Sequence, residues 1–134
     1  FKDRCRRAKL DARNGICHVY IIFLRESGDL AGGITLGNIR SGVSQSAQIG
    51  YWMGEPYAGK GYMQEAVNRL AQHAFAELKL HRLEAACIPG NERSVRVLQK
   101  CGFRQEGLLK SYLKINGRWE DHLLFARISG ETEA

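Results

Sequence analysis

The chain has 134 residues, a hydrophobic content of 44% and a formal net charge of +6. This length and composition predict one domain with a packed core and exclude two independent domains. The sequence has no apolar run of the length that a bilayer-spanning helix needs, so we expect a cytoplasmic protein with no signal peptide and no membrane contact.

The positive charge has two interpretations. A basic domain can bind nucleic acid or a ribonucleoprotein, or it can be well solvated and attract anionic ligands. The basic residues are concentrated within residues 1–13, and no strip of alternating aromatic and basic residues follows. We therefore expect no direct sequence-specific nucleic-acid binding, while association with the ribosome stays open.

Cysteine and histidine spacing predicts no metal site. The cysteines are Cys5, Cys17, Cys87 and Cys101. None of them forms a C-x-x-C pair, so neither a zinc site nor a disulfide framework is indicated, and a reducing compartment is expected. The histidines tested for a ligand spacing are His73, His81 and His122. They share none, and we expect them at the surface or in packing.

In chain order, residues 1–13 are predicted to be the end of a basic helix. Because the chain begins at Phe1 with a charged stretch, we expect the natural protein to have a further N-terminal portion. Residues 16–24 and 30–36 are rich in β-branched and aromatic residues and predict a hairpin that turns at 27–29. Residues 38–46 are polar and predict a loop, either a connector or a substrate lid.

The next stretch is a strand, a glycine turn and a helix start. An aromatic run over 49–53 stops at Gly54 and turns through Gly59-Lys60-Gly61. Residues 64–78 then carry apolar residues at helical spacing. Glycines allow close backbone approach, and the first turn of a helix has unpaired N–H groups and a favourable dipole, so this junction predicts a phosphate site. The same glycines also suit a tight connection that binds nothing.

Two nucleotide motifs fail at this turn. Gly54-x-x-x-x-Gly59-Lys60 fits most of the P-loop, but Gly61 stands where Ser or Thr would hold magnesium. The dinucleotide pattern fails because Gln64 follows where a third glycine is required. The turn therefore suits binding of a phosphate and not its hydrolysis.

The remaining elements complete a mixed fold. Residues 81–88 predict a strand, and Asn91 is a predicted N-cap for a helix that ends at Gly102. Residues 103–115 and 118–128 predict two strands joined by Asn116-Gly117, a strong hairpin signal. This order predicts an α/β fold with a mixed sheet, helices packed on it and a parallel strand pair around the central helix.

These motifs together resemble the GNAT superfamily of N-acetyltransferases, over about residues 30–128. The turn at 58–63 is similar to the acyl-CoA pyrophosphate loop, and Asn91-x-x-Ser94 with 100–103 is similar to the second CoA element. The segment 112–122, which reads YLKINGRWEDH, resembles the ribosomal-protein-alanine N-acetyltransferase branch. The joint occurrence of these motifs in order is more specific than any one of them.

The resemblance implies a single N-acetyltransferase domain with a mostly antiparallel sheet and a splayed parallel pair. It implies acetyl-CoA as cosubstrate, no metal, and transfer of acetyl to an amine, preferably the N-terminal amine of a ribosomal or other protein. The implied CoA contacts are Trp52, Met53, Ala58, Gly59, Lys60, Gly61, Tyr62, Met63, Asn91 and Ser94. Alternatives are a small amine as acceptor (an antibiotic, polyamine or amino acid) and a CoA-binding, ribosome-associated module without catalysis.

The sequence departs from the family at the general acid. Many members carry a tyrosine in the second CoA element where this chain has Leu98. A thiol leaving group with an ordinary pKa of about 8.5 tolerates this loss. Ala58 and Met63 also differ from the usual loop residues, but backbone N–H groups remain.

The candidates for proton transfer are Asp121, Glu55 and Ser94, with His122 as a further histidine of suitable pKa. Asp121 alternates with apolar residues along its strand, so we expect either a raised pKa suited to a base or a structural carboxylate. Glu55 lies at the mouth of the central strand, or is only a solvated turn residue. Ser94 suits a helix and CoA contact better than a nucleophile, because no His-Asp pair accompanies it.

Overall fold

The structure, a computed structural model, describes residues 5–11, 17–25 and 27–130. Its elements in chain order are strands and helices β1 (Cys5–Asp11), β2 (Cys17–Phe23), β3 (Leu30–Arg40), β4 (Ser46–Met53), a 3-10 turn (Glu55–Tyr57), α1 (Tyr62–Ala76), β5 (Arg82–Cys87), α2 (Glu92–Lys100), β6 (Arg104–Ile115) and β7 (Arg118–Ile128). No helix among these residues has the length and apolar character needed to cross a membrane.

The described strands form one mixed sheet in the order β1-β2-β3-β4-β5-β7-β6. Its pairs are antiparallel except for β4 and β5, which flank α1 and are parallel. This confirms the predicted mixed, mostly antiparallel sheet with a parallel pair. The division of the chain into a single domain with a missing N-terminal portion stays a prediction.

The predicted helix over residues 1–13 is wrong where the structure describes it. Residues Cys5–Asp11 form β1, which pairs antiparallel with β2 along the edge of the sheet. The prediction rested on a short spacing of small residues, and pairing with β2 supplies backbone hydrogen bonds that outweigh such a weak local preference. The other residues of that predicted helix lie outside the described ranges.

Strand β3 is longer than the sequence predicts. It continues to Arg40 and pairs there with Ser46, after a register shift beyond Gly37. Asn38 within this shift has a φ of 50°, a left-handed value that asparagine tolerates better than most residues. The predicted loop over 38–46 therefore shrinks to residues 41–45.

The core lies between the sheet and helices α1 and α2. Helix α1 buries Met63, Ala66, Val67, Leu70, Ala71 and Ala74 along one face. Largest among the fully buried side chains of the sheet and α2 are Phe125, Ile22, Ile34, Leu36, Leu83 and Leu98. Arg127 of β7 holds both helices, because its Nη1 donates to Asn68 Oδ1 at 3.0 Å and to the Cys101 carbonyl at 2.8 Å.

Candidate functional site

The site begins where the two parallel strands separate. Strands β4 and β5 pair from Ser46–Arg82 up to Ile49–Ala85, and both continue beyond that last pair. Past this point the described structure pairs β4 residues 51–53 with β3 only. The edge of β4 that faces β5 is therefore open to a ligand, and its backbone groups are available to hydrogen-bond one.

The turn after β4 places a helix N-terminus at the same opening. Gly59 and Gly61 have φ values of 78° and 84°, which a side chain would strain. Gly61 is the N-cap of α1 and has no side chain to accept the N–H groups of the first turn. These N–H groups and the helix dipole together favour an anion.

A cavity of about 640 Å³ joins these two features. It is lined by residues of β4, the turn, α1, β5 and α2, namely Ile49, Gly50, Tyr51, Trp52, Met53, Tyr57, Ala58, Gly59, Gly61, Tyr62, Met63, Gln64, Ala86, Cys87, Ile88, Asn91, Arg93, Ser94, Arg96, Val97 and Lys100. Its volume is in the range of pockets that hold a small organic ligand.

Helix α2 forms one wall of the cavity and is fixed by its cap. Asn91 Oδ1 accepts the backbone N–H of Ser94 at 3.2 Å, which confirms the predicted N-cap. Arg93, Arg96 and Lys100 line the cavity from this helix. This wall therefore carries positive charge beside the helix N-terminus that favours anions, which suits a polyanionic ligand.

A hydroxyl and thiol cluster lies within the cavity, just past the point of strand separation. Tyr51 OH of β4 and Ser94 Oγ of α2 are 2.6 Å apart. The Ser94 side chain also acts on the Cys87 thiol of β5, where it lowers the thiol pKa against the larger effect of burial. Burial raises the pKa of Tyr51 to about 12, opposed by the Ser94 hydrogen bond, and burial likewise raises the pKa of Cys87. Both groups are therefore neutral near pH 7.

Sequence reasoning did not predict Tyr51 or Cys87 as site residues. The available signal was their position: each lies two residues beyond the last pair of the parallel strands, which the sequence alone does not locate.

The structure brings together nearly all of the predicted CoA contacts. Trp52, Met53, Asn91, Ser94 and the turn residues all line the cavity except Lys60, which is exposed in the same turn. Their role in binding CoA stays a prediction.

Two of the proton-transfer candidates lie outside the cavity. Glu55 is exposed in the 3-10 turn, and Asp121 is in β7. His122 is buried, with its ring 5.6 Å from that of Tyr112 and its Nδ1 3.1 Å from the Glu120 carbonyl oxygen. Ser94 is the proton-transfer candidate that the structure places in the cavity.

The expected raised pKa of Asp121 is wrong. The carboxylate accepts the backbone N–H of Ser111 at 2.8 Å and lies 3.6 Å from Lys110 Nζ, and these contacts lower its pKa. Ser111 has a φ of 46° within the register shift of β6, so its N–H needs a partner outside the ladder. The alternative interpretation, a structural carboxylate, fits this geometry.

Trp52 approaches the site from the opposite face of the sheet to Tyr51, because successive side chains of a strand alternate. Its side chain is 53% exposed. Gly33 of β3 leaves room for the indole, since a Cβ there would lie 2.9 Å from Trp52 Nε1. The opening between β4 and β5 is thus flanked by a half-buried polar cluster on one face and an exposed aromatic ring on the other.

The fold and the cavity define a class of protein in which a parallel strand pair splits apart beside a helix N-terminus, a site suited to an anionic ligand. A family model for the acetyltransferase (GNAT) domain matches residues 1–104. The chain belongs to the GNAT acetyltransferase family.

Curated relatives agree with this assignment. A Bacillus subtilis protein described as a probable N-acetyltransferase, YjcK, is 45% identical over 84% of the chain and 62% of its own length. The [ribosomal protein uS5]-alanine N-acetyltransferase of Escherichia coli is 32% identical over 85% of the chain and 59% of its own length. A spermidine N(1)-acetyltransferase of Vibrio cholerae is 30% identical over 59% of the chain and 46% of its own length. The chain thus spans about three fifths, or less, of the length of these relatives.

A solved structure shares the fold. Mycobacterium smegmatis RimJ, solved in complex with CoA-disulfide, superposes with a TM-score of 0.85 at 41% identity, covering 92% of this chain and 58% of that one. The superposition therefore extends over most of this chain and over little more than half of that one.

Proposed function

We propose that this chain binds acetyl-CoA in the cavity between β4 and β5 and transfers its acetyl group to an amine, preferably the N-terminal α-amine of a ribosomal or other protein. One observation carries the proposal: the parallel pair separates beyond Ile49 and Ala85, where Gly61 starts α1. An open strand edge and a helix N-terminus at one cavity match a ligand with a long amide-bearing arm and a pyrophosphate.

The phosphates would bind at the turn. The first turn of α1 offers backbone N–H groups, with Gly59 and Gly61 allowing close approach. Lys60 and the cations of α2 add charge complementarity for the further phosphate of CoA.

The acyl arm would follow the open edge of β4. Trp52 and Met53 line the cavity there, and the open backbone edge around them is the candidate to hold the pantetheine amides and to polarise the thioester carbonyl. Holding the thioester against a fixed edge lowers the barrier through positioning, because attack by the amine then occurs within one complex.

The amine would enter from the face that carries Trp52. An α-amine has an ordinary pKa near 8, compared with about 10.4 for lysine, so a substantial fraction is already deprotonated near neutral pH. The demand on a general base is therefore small, consistent with the absence of Asp121 and Glu55 from the cavity lining. The ribosomal-protein acceptor rests on the E. coli relative and on the 112–122 segment.

Acceptor preference is tested with matched amines. The chain is incubated with acetyl-CoA and a peptide that begins with Ala and contains one Lys, the same peptide with a blocked α-amine, and spermidine. Mass spectrometry then locates the acetyl group. We expect acetylation of the free peptide at its α-amine and little of the blocked one. Fast turnover of spermidine alone would establish the small-amine alternative, for which the V. cholerae relative is the supporting observation. Binding of acetyl-CoA with no turnover on any amine would establish a non-catalytic module.

A further inference from the structure

The leaving thiolate needs a hydrogen-bond donor, and α2 does not supply the tyrosine that the family resemblance leads one to expect. Leu98 stands at that position, is 0% exposed and belongs to the core. Its neighbour Val97 lines the cavity instead. A tyrosine hydroxyl nevertheless reaches the cavity from another element.

That hydroxyl belongs to Tyr51 and comes from β4. It lies 2.6 Å from Ser94 Oγ, a distance typical of a strong O–H···O bond, and 3.4 Å from the Ser94 carbonyl oxygen. The bond spans the gap between β4 and α2, directly beyond the separation of β4 from β5. Ser94 is further held by its own N–H, which donates to Asn91.

The number of hydrogens in this cluster indicates where the Ser94 hydroxyl can donate its own hydrogen bond. Tyr51 and Cys87 are both neutral, so each carries one hydrogen. A serine oxygen accepts two hydrogen bonds and donates one. Either hydroxyl can donate in the Tyr51–Ser94 bond, and when Tyr51 is the donor, the Ser94 hydrogen is left to point into the cavity.

We propose that Tyr51 is a positioning residue that directs the Ser94 hydroxyl toward the sulfur of a bound acyl thioester. The Tyr51–Ser94 pair then takes the place of the tyrosine that α2 lacks at Leu98. This inference rests on the proposed function of the cavity.

The chemical step balances without ionising either hydroxyl. The amine nitrogen forms a bond to the carbonyl carbon, the C–S bond breaks, and its electron pair stays on sulfur. Ser94 donates a hydrogen bond to that sulfur. The proton lost by the amine passes to water, and the thiolate takes one proton from water as CoA leaves.

Tyr51 acts through Ser94 and not as the acid itself. A thiolate whose conjugate acid has a pKa of about 8.5 cannot deprotonate a tyrosine whose pKa is about 12 to any useful extent. A hydroxyl that keeps its proton is, however, well suited to fix the orientation of a neighbour.

The direct test is the thiol pKa of bound CoA, read from thiolate ultraviolet absorbance with desulfo-CoA as the blank. A hydrogen bond from Ser94 stabilises the thiolate, so the wild type should give the lowest value. Ser94→Ala and Tyr51→Phe should each raise it by about one unit, the effect of one hydrogen bond to a charged group. The double variant should match Ser94→Ala.

Turnover provides a second measurement. With an accepted amine, both single variants should lower kcat by roughly tenfold, with the KM for acetyl-CoA nearly unchanged and the double variant no worse than Ser94→Ala. The matched control is Tyr20→Phe, which removes a tyrosine hydroxyl in the core, outside the cavity, and should leave both the thiol pKa and kcat unchanged. Thermal melting confirms that each variant is folded.

Three results would overturn the inference, and they are distinguishable. A thiol pKa that rises in Ser94→Ala but not in Tyr51→Phe would leave Tyr51 a purely structural role. Equal values in all variants, with normal wild-type turnover, would remove the pair from the chemistry while the proposed function stands. A folded wild type that does not bind CoA would overturn the proposed function, and the inference with it.

Discussion

The carboxylate of Asp121 in β7 accepts the backbone N–H of Ser111 in β6 at 2.8 Å. Ser111 lies in the irregular part of β6, where the register with β7 shifts between Leu109 and Leu113. The carboxylate thus replaces a ladder partner for the displaced N–H.

For activity, Asp121→Asn should lower kcat by less than about tenfold, well below the loss that removal of a general base causes. The physical reason is that Asp121 does not line the cavity. The measurement is steady-state kinetics with the accepted amine, with Glu55→Gln tested in parallel. A loss of about a hundredfold or more in either variant would identify that carboxylate as the base.

For pH, Asp121 should stabilise the fold above its ordinary pKa and lose that contribution as the pH falls. The sign follows from its lowered pKa: the Ser111 N–H and Lys110 favour the charged carboxylate in the folded state, so the unfolded chain binds the proton first. Wild type and Asp121→Asn should therefore differ in unfolding free energy at neutral pH and converge in acid below about pH 4. A difference that is constant with pH would contradict this.

Tyr51 should make the fold sensitive to alkaline pH. Its pKa is raised from 10.0 to about 12, chiefly by burial, so the unfolded chain loses the phenolic proton first. The stability that Tyr51 contributes is complete below its pKa in the unfolded chain. It is lost as the pH rises through its pKa in the folded state. Wild type and Tyr51→Phe are compared by chemical denaturation between pH 9 and 12, a window that follows from these values. The wild type should lose more stability across this window. Parallel loss in both proteins would mean that Tyr51 has no perturbed pKa.

Asn91 should stabilise α2 through its cap. Asn91→Ala removes the acceptor for the Ser94 N–H and should lower the unfolding free energy by about 1 kcal/mol. Asn91→Asp keeps a capping oxygen and should retain most of that stability. Urea denaturation of both variants measures the difference, and equal loss in the two would show that the cap contact is not what Asn91 contributes.

Much of this architecture is predictable from sequence because it is encoded locally. Asn116-Gly117 defines the last hairpin and Asn91 caps α2 as predicted, while α1 begins at Tyr62, two residues before its predicted start. Strand β1 and the end of β3 were mispredicted because their conformation depends on pairing with another strand, which local residue preferences do not reveal.

The chemistry of the site is less predictable for the same reason. Ser94 was predicted from its position in a motif, but its contacts with Tyr51 and Cys87 join three elements that only the folded sheet brings together. The lowered pKa of Asp121 was not predicted, because alternation along β7 does not reveal the irregular stretch of β6 opposite it.

The most direct test of the account is calorimetric titration of the chain with acetyl-CoA, comparing the wild type with a Gly59→Glu, Gly61→Glu double variant. A Cβ at either glycine meets no atom within 4 Å, so the fold has space for the new side chains and bears only the strain of a positive φ. Gly28→Glu is the matched control, because Gly28 has a φ of 75° and equally open space in the turn between β2 and β3. We expect binding by the wild type and by Gly28→Glu, and none by the folded double variant, since two carboxylates would repel the pyrophosphate. Undiminished binding by that variant, or none by the folded wild type, would contradict the placement of acetyl-CoA at this turn.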